Sequence, residues 1–372
     1  MILILDADTL PDSPAFADLA KRLDALPGIR WRVHQEKGTE KTLTEIYLIG
    51  QTAALDIADM AALPGVERVV RVSEPYRILG RHQDDQRPSE FDYNGVHFGQ
   101  DALHVMAGLC AVDTPEHVEA MMRALQAAGQ VCTRMGAYKP RTSPYAFQGH
   151  GAACLPWVFE LAGKYGIRVI AMEITREAHI EEIQEALHRT GNPTGVMLQI
   201  GTRNTQNFEL LKAAGRQREM PVLLKRGFGI TLDESLNAAE YLASEGNRNV
   251  IFCLRGLKSH MGDPHRNLLD FGHVPVVKRL TRMPVGIDPS HSVGTRHRGP
   301  DGVLDIFHAT AQGIVAGANL VLVDFHPDPP RALVDGAQAL TLHELPIFLE
   351  DVRIAREAYL QRCALQQRAA TA

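Results

Sequence analysis

The sequence lacks the features that are typical of membrane, secreted and nucleic-acid-binding proteins. No stretch approaches the ~18 uninterrupted apolar residues that a membrane-spanning helix needs. The apolar start, residues 1–5, has no basic region before it and runs directly into Asp6 and Asp8, unlike a secretory signal peptide. The formal net charge is −5, which leaves no general basic excess to bind a nucleic-acid backbone. We therefore expect a cytoplasmic protein without a membrane or nucleic-acid partner.

Cysteine is scarce and shows no pattern of pairing. The chain has only 5 cysteines, an odd number, and none of them forms a CxxC spacing; they are residues 110, 132, 154, 253 and 363. Such usage suits a reducing compartment, in which each cysteine is either part of the core or a ligand.

A nucleotide-binding fingerprint is also absent, because no GxGxxG follows an early predicted strand. The 372 residues suffice for a barrel of ~250 residues and a small extra module. From about residue 96, short apolar runs alternate with helical stretches such as 114–128, 204–214, 232–244 and 301–316. The pattern predicts a (β/α)8 TIM barrel, with an open doubly wound sheet as the alternative. The eight predicted strands are 103–108, 130–134, 167–173, 195–201, 221–225, 249–255, 283–288 and 319–324.

The N-terminal part has a different alternation. It predicts strands at 2–5, 29–34, 43–49 and 66–72, and helices at 13–26 and 57–63, the order of a ferredoxin-like α+β unit. This segment carries no His or Cys cluster and no phosphate loop, so regulation or dimerisation is the more typical role. We therefore predict a ferredoxin-like regulatory domain over residues 1–76, a linker over 77–95 and a catalytic barrel over 96–372.

One loop, residues 139–149, has the composition of an anion-binding site. Prolines at 140 and 144 stiffen the backbone around a basic and hydroxyl cluster: Lys139, Arg141, Thr142 and Ser143. A phosphate ester accepts hydrogen bonds from all these groups. The alternative is an ordinary solvated basic turn.

Further polar residues follow the predicted barrel strands. The carboxyl ends of barrel strands share one rim, so we expect these side chains to converge there. Six cations at one rim favour substrates with several negative charges, such as phosphates and a carboxylate. The rim set comprises Arg134, Lys139, Arg141, Thr202, Arg203, Lys225 and Arg255.

A second set, at the ends of the first, seventh and eighth strands and just beyond, could bind a divalent metal ion. Cys110, His291, Asp324 and Asp335 offer a thiolate, an imidazole and two carboxylates, which suit manganese, iron, cobalt or zinc. Their wide spacing leaves a second interpretation open, in which the four are unrelated buried or capping groups.

With these residues collected, the chain resembles the 3-deoxy-D-arabino-heptulosonate 7-phosphate (DAHP) synthase family. More narrowly, it is similar to the short type I beta branch, which carries an N-terminal ferredoxin-like regulatory domain. The resemblance covers nearly the whole chain. Its motifs are GAYKPRTSPYAFQG at 136–149, QIGTRNTQNF at 199–208, PVLLKRG at 221–227, DPSHS at 288–292, HPDP at 326–329 and DGAQ at 335–338.

The resemblance implies a transferase that condenses phosphoenolpyruvate with erythrose 4-phosphate at the start of the shikimate pathway, or a specialised copy of that enzyme. It implies that Lys139, Cys110 and His291 are catalytic and that Cys110, His291, Asp324 and Asp335 hold the metal. Arg134, Lys139, Arg203, Lys225 and Arg255 would hold phosphoenolpyruvate, and Lys139, Arg141, Thr142 and Ser143 the aldose phosphate. It further implies an aromatic amino acid effector and a homo-oligomer, either a tetramer or a dimer.

Four positions depart from the family pattern. The family residues Pro, Gly and Glu are replaced by Leu109, Met135 and Leu254, and a Glu metal ligand is replaced by Asp324. We expect all four changes to lie in the predicted site at the rim of the barrel. They keep open two alternatives: a synthase that uses another aldehyde, and a non-catalytic regulatory barrel.

Overall fold

A computed structural model describes residues 1–37, 42–70, 76–82, 85–190 and 193–371. The chain divides into two compact units, residues 1–77 and 78–372. The predicted linker, 77–95, falls almost wholly within the second unit, and its residues 83 and 84 lie outside the described ones.

The first unit has the predicted ferredoxin-like order. Its four-stranded antiparallel sheet is ordered β2-β3-β1-β4, and α1 packs its apolar side chains Phe16, Leu19 and Leu23 into the core of this unit. The spacing of those three residues places them on one helix face. Residues 71 and 72 of the predicted fourth strand lie outside the described residues. The elements are β1 (Ile2–Leu5), α1 (Pro14–Asp24), β2 (Ile29–Lys37), β3 (Thr42–Gly50), α2 (Ile57–Ala61) and β4 (Val66–Val70).

The second unit contains a closed barrel of eight parallel strands, as the sequence predicts, and not an open sheet. Strands such as β9 and β10 are buried along their whole length, because helices cover the barrel outside and side chains fill it inside. The strands are β7 (His104–Leu109), β8 (Cys132–Met135), β9 (Val169–Ile174), β10 (Gly195–Ile200), β11 (Val222–Lys225), β12 (Val250–Leu254), β13 (Val285–Ile287) and β14 (Leu320–Asp324).

A short hairpin closes the amino-terminal end of the barrel. Its strands are β5 (Phe91–Tyr93) and β6 (Val96–Phe98), and Val96 and Phe98 pack among barrel residues such as Met106 and Leu320. The Tyr93 hydroxyl accepts a hydrogen bond of 3.0 Å from the backbone of Val196, at the start of β10. With this end filled, the carboxyl ends of the strands are left for a site.

Helices follow most of the strands, and several begin at residues that satisfy their free N–H groups. Thr114 caps α3, and Thr231 with Glu234 forms a capping box at α7. In the part of the chain that the structure describes, no helix is long and apolar enough to cross a membrane. The helices are α3 (Pro115–Ala127), α4 (Leu155–Lys164), α5 (Ala178–Thr190), α6 (Phe208–Arg216), α7 (Leu232–Ser244), α8 (Val274–Leu280), α9 (Pro289–Val293), α10 (Asp305–Val315) and α11 (Leu345–Thr371).

Candidate active site

A cleft of about 290 Å³ opens at the carboxyl ends of the barrel strands. Residues far apart in the sequence meet in it, because every barrel strand delivers its last residue to the same rim. All the predicted substrate-binding residues line this cleft: Arg134, Lys139, Arg141, Thr142, Ser143, Thr202, Arg203, Lys225 and Arg255. His291 and Asp335 of the predicted metal set line it as well.

The predicted metal set forms one cluster. The Cys110 sulfur lies 3.6 Å from Nε2 of His291 and 3.2 Å from Oδ2 of Asp335, although Cys110 and Asp335 are 225 positions apart. With Asp324, the four residues offer ligand atoms that all lie within 4.8 Å of one another. Two carboxylates, an imidazole and a thiol at this spacing could hold one divalent ion.

His291 is turned toward the cluster by a neighbouring carboxylate. Asp288, the N-cap of the short helix α9, accepts a hydrogen bond of 3.1 Å from the His291 backbone and lies 3.0 Å from its Nδ1. With Nδ1 facing Asp288, Nε2 faces Cys110 and Asp335. Burial alone would lower the pKa of His291, but the carboxylates of Asp288 and Asp324 raise it to about 10.

Asp335 reaches the cluster from a strained loop. Its φ of 55° lies in the left-handed region, which is uncommon for a residue other than glycine. Although burial opposes its ionisation, the adjacent His291 and Arg266 hold the pKa of this carboxyl far below its usual range. Asp335 is therefore an anion at neutral pH.

Asp324 is fully buried and held on both oxygens. Arg134 forms an ion pair with Oδ1, and the Gln338 amide donates a hydrogen bond of 2.6 Å to Oδ2. Burial would lower the pKa of Arg134, but Asp324 and Cys110 raise it, so the guanidinium stays charged. Its Nη2 also lies 3.6 Å from the Cys110 sulfur.

Two other buried cations of the cleft have carboxylate partners. Lys139 lies 3.3 Å from Glu173 and donates to the Cys110 sulfur at 3.4 Å. Lys225 forms an ion pair of 2.6 Å with Asp288, the same carboxylate that faces His291. These pairs fix the two ammonium groups between the cluster and the open cleft.

Arg255 and Arg203 are placed differently. Arg255 is only 2% exposed, yet its Nε and Nη1 have no hydrogen-bond partner among the described residues. Its guanidinium lies 4.7 Å from the centre of the Phe228 ring, and that of Arg203 lies 5.5 Å from the same ring. Burial and the nearby Arg266 and Arg203 lower the pKa of Arg255, whereas Asp288 raises it. Buried donors without partners beside a cleft are suited to an anionic ligand.

The strand-end residue Arg226 does not reach the cleft. It forms a buried ion pair of 3.1 Å with Asp270, which also accepts a hydrogen bond of 2.8 Å from the backbone of Gly256. Gly256 has a φ of 82°, which favours glycine at this position. Asp270 thus ties together the ends of β11 and β12, which carry Lys225 and Arg255.

Four residues depart from the family pattern, and the expectation that all of them lie in the site at the rim is wrong for three. Leu109, Met135 and Leu254 are fully buried, and none lines the cleft among the described residues. Alternate residues of a strand point in opposite directions, so these three point away from the side on which Cys110, Arg134 and Arg255 lie. Only Asp324 belongs to the site, as a member of the four-residue cluster.

Sequence reasoning assigned no role to several residues of the site, chiefly Glu173, Asp288, Arg266, Gln338 and Phe228. Glu173 and Asp288 end predicted strands and so are expected at the rim, and a search for carboxylates opposite the strand-end cations could have given them a role. Arg266 and Gln338 lie on loops, where spacing along the chain carries no signal about contacts.

A second group of potential ligands, Asp113, His117 and His326, lies at the ends of β7 and β14. Asp113 Oδ2 lies 2.6 Å from Nε2 of His326 and 2.9 Å from Nδ1 of His117. Nδ1 of His326 accepts a hydrogen bond of 3.0 Å from the Asp328 backbone, so Nε2 carries the proton and donates to Asp113. This group is a hydrogen-bond network.

Together, the closed barrel, the cationic cleft and the thiol-containing cluster define a class: a barrel enzyme for small anionic substrates with a group of side chains that could hold a metal ion. Comparisons with known proteins narrow this class. Residues 81–359 match the DAHP synthetase I family, and residues 1–74 match the DAHP synthase ferredoxin-like domain. The chain belongs to the DAHP synthetase I family.

Individual relatives agree with this assignment. The chain is 35% identical to a phospho-2-dehydro-3-deoxyheptonate aldolase of Thermotoga maritima, over 92% of this chain and 95% of that protein. The crystal structure of a Thermotoga maritima protein of that name, also titled DAHP synthase, matches with a TM-score of 0.68 and 32% identity, covering 96% of this chain and 97% of the other. A 2-dehydro-3-deoxyphosphooctonate aldolase of Koribacter versatilis is 27% identical, over 72% of this chain and 96% of that protein.

Proposed function

We propose that this protein is a DAHP synthase, which joins phosphoenolpyruvate to erythrose 4-phosphate and releases phosphate. The observation that carries the proposal is the single cleft in which the predicted anion-binding residues meet the Cys110 cluster. In the reaction, C3 of the enolpyruvate forms a bond to the aldehyde carbon. Water adds at C2, the phosphate group leaves, and the former aldehyde oxygen takes a proton.

The residues of the cluster fit a divalent metal ion. Nε2 of His291 is directed away from Asp288 and could act as a ligand once an incoming cation displaces its proton. Asp335 is ionised and could act as a second ligand, with Cys110 and Asp324. These four residues would hold a divalent ion, manganese or alternatively iron, cobalt or zinc, which would supply Lewis-acid polarisation of the aldehyde.

We assign the cations of the cleft to the two substrates. Arg134, Lys139, Arg203, Lys225 and Arg255 would hold the phosphate and carboxylate of phosphoenolpyruvate, with the unpartnered donors of Arg255 left to the ligand. The stiff loop carrying Lys139, Arg141, Thr142 and Ser143 would take the aldose phosphate, and Thr202 also lines the cleft. Fixing both substrates in one cleft replaces a bimolecular encounter by an oriented one.

Lys139, Cys110 and His291 are the proposed catalytic residues. The Lys139 ammonium lies between Glu173 and the Cys110 sulfur, and burial, which would lower its pKa, is outweighed by Cys110 and Glu173, which raise it. It is therefore charged, and could donate a hydrogen bond to the oxygen that becomes an alcohol.

An ultraviolet assay that follows loss of the enolpyruvate double bond tests the proposal. We expect consumption with erythrose 4-phosphate and manganese, and no consumption after a chelator is added. Consumption only with another acceptor, such as a five-carbon aldose phosphate, would favour the synthase with a changed aldehyde. Tight binding of phosphoenolpyruvate without turnover with any acceptor would favour the non-catalytic barrel.

We further propose that residues 1–76 form a regulatory domain that responds to an aromatic amino acid. Residues 77–95 would link this domain to the catalytic barrel of residues 96–372. We also propose that the protein is cytoplasmic and forms a homo-oligomer, either a tetramer or a dimer. The match of residues 1–74 to the DAHP synthase ferredoxin-like domain supports the regulatory part. Inhibition by tyrosine or phenylalanine should be lost when residues 1–77 are removed. Inhibition that persists would assign the effector site to the barrel.

A further inference from the structure

We propose that Arg266 and Gln338 are positioning residues that hold the two carboxylates of the cluster, Asp335 and Asp324, in place for a divalent metal ion. This inference rests on the proposed function of the same cluster. Neither residue is a candidate ligand, because a guanidinium has no acceptor atom and the amide oxygen of Gln338 already accepts a hydrogen bond from Arg266.

Arg266 contacts the oxygen of Asp335 that faces away from the cluster. Its Nη1 lies 3.1 Å from Asp335 Oδ1, while Oδ2 of the same carboxylate lies 3.2 Å from the Cys110 sulfur and 3.4 Å from Nε2 of His291. When one oxygen of a carboxylate is held by a hydrogen bond, the direction in which the second oxygen points is fixed. Arg266 therefore determines where Asp335 presents its free oxygen.

Gln338 extends the same contact to the second carboxylate. Arg266 Nη1 also donates to Gln338 Oε1 at 3.1 Å, and the amide nitrogen of Gln338 donates to Asp324 Oδ2 at 2.6 Å. Because the amide oxygen is used by Arg266, the amide nitrogen must face Asp324. Gln338 is only 2% exposed, so it has little freedom to choose another orientation.

The loop that carries Arg266 is itself fixed on the helix that carries His291. The backbone of Arg266 donates to Val293 at 2.8 Å, and the side chain of Asn267 donates to the carbonyl of His291 at 2.6 Å. Gly294, with a φ of 78°, allows the close approach, since a Cβ there would lie 2.5 Å from the Arg266 Cβ. The imidazole and both carboxylates are thus held in one connected unit.

The sign of the effect on metal affinity separates positioning from plain electrostatics. If Arg266 contributed only its positive charge, its removal would relieve repulsion and tighten the binding of a cation. If Arg266 orients Asp335, its removal leaves that carboxylate free to turn away, and the affinity falls. Outer hydrogen-bond partners of metal ligands commonly change affinity by about 10-fold to 100-fold.

The experiment titrates cobalt(II) into the full-length chain after chelator treatment and follows the absorbance of the thiolate–cobalt bond. We expect R266A and Q338L to weaken cobalt binding by about 10-fold to 100-fold. R266K, which keeps the charge and one donor direction, should restore part of the affinity. The matched control is R203A, a cleft arginine on the Phe228 ring, which should not weaken cobalt binding.

Each outcome decides a separate question. Cobalt binding by R266A that is as tight as, or tighter than, that of the wild type would overturn the positioning role. Absence of a thiolate–cobalt band in the wild type would instead refute the metal site of the proposed function. Circular dichroism checks that each variant folds. If R266A does not fold, the cobalt affinities of R266K and Q338L test the positioning role instead.

Discussion

The cations of the cleft fall into two halves, which differ in whether each cation is paired with a carboxylate of the protein. In the paired half, Arg134, Lys139 and Lys225 each lie beside a buried carboxylate: Asp324, Glu173 and Asp288. In the unpaired half, Arg141, Arg203 and Arg255 form no ion pair with a carboxylate among the described residues. Folding alone compensates the first set. In the second set, the buried donors of Arg255 are left for a ligand, whereas the more exposed Arg141 and Arg203 can also be solvated by water.

The difference has an energetic meaning. Removing one partner of a buried ion pair typically costs about 3–5 kcal/mol, because a charge is left uncompensated. A buried arginine with free donors already carries such a cost in the folded protein, and an anion that binds there offsets it. We infer that the paired half maintains the geometry of the site and that the unpaired half provides the driving force for binding.

The largest expected effect is the loss of turnover in C110A. Without the sulfur, the cluster loses its only soft ligand, and we expect the rate of phosphoenolpyruvate consumption to fall by at least about 10³-fold. The fold should persist, as judged by circular dichroism. The matched control is C132A, a buried cysteine of the barrel core, which should lower stability slightly but leave turnover unchanged. An unaffected rate in C110A would show that the metal assignment is wrong.

A pair of variants tests the two halves directly. K225M should lower the free energy of unfolding by about 3–5 kcal/mol, because Asp288 loses a cationic partner. R255M should leave it unchanged or raise it by about 1 kcal/mol, while the affinity for inorganic phosphate falls sharply. Urea denaturation, with and without phosphate, measures both quantities. Equal destabilisation by the two variants would abolish the distinction between the halves.

The smallest expected effect concerns His179, a buried residue that packs beside the paired half of the cleft. His179 stacks on Tyr138, next to Lys139, and its Nδ1 accepts a hydrogen bond from the Thr175 backbone. Burial lowers the pKa of His179 to about 4. Since the unfolded chain binds this proton at a higher pH, the stabilisation is present above about pH 6.5 and is lost as the pH falls toward 4.

We therefore expect His179 to contribute a loss of about 1–2 kcal/mol in the free energy of unfolding between pH 7.5 and pH 5. H179N keeps a hydrogen-bond acceptor without titrating in this range. Its loss over the same interval, measured by urea denaturation, should be smaller than that of the wild type. Identical losses in the two proteins would contradict the prediction.

Much of this site could be foreseen, because strand ends in a barrel share one rim. The last residues of predicted strands, such as Arg134, Lys225 and Arg255, line the cleft as expected. Arg226 shows the limit of that reasoning. It directly follows Lys225, yet the alternation of the strand turns it to Asp270 and away from the cleft.

The sequence by itself determined the barrel and the ferredoxin-like unit, because hydrophobic periodicity and the succession of elements along the chain can be read locally. The convergence of the cationic and metal-ligating sets then followed, because the carboxyl ends of barrel strands share one rim. Only the tertiary structure decided which charges are paired and which stay free for a ligand. It also placed Leu109, Met135 and Leu254 in the barrel wall, and brought Arg266 and Gln338 to the carboxylates. Those contacts join loops and strands that are far apart along the chain, and their partners depend on side-chain direction and burial, which spacing does not encode.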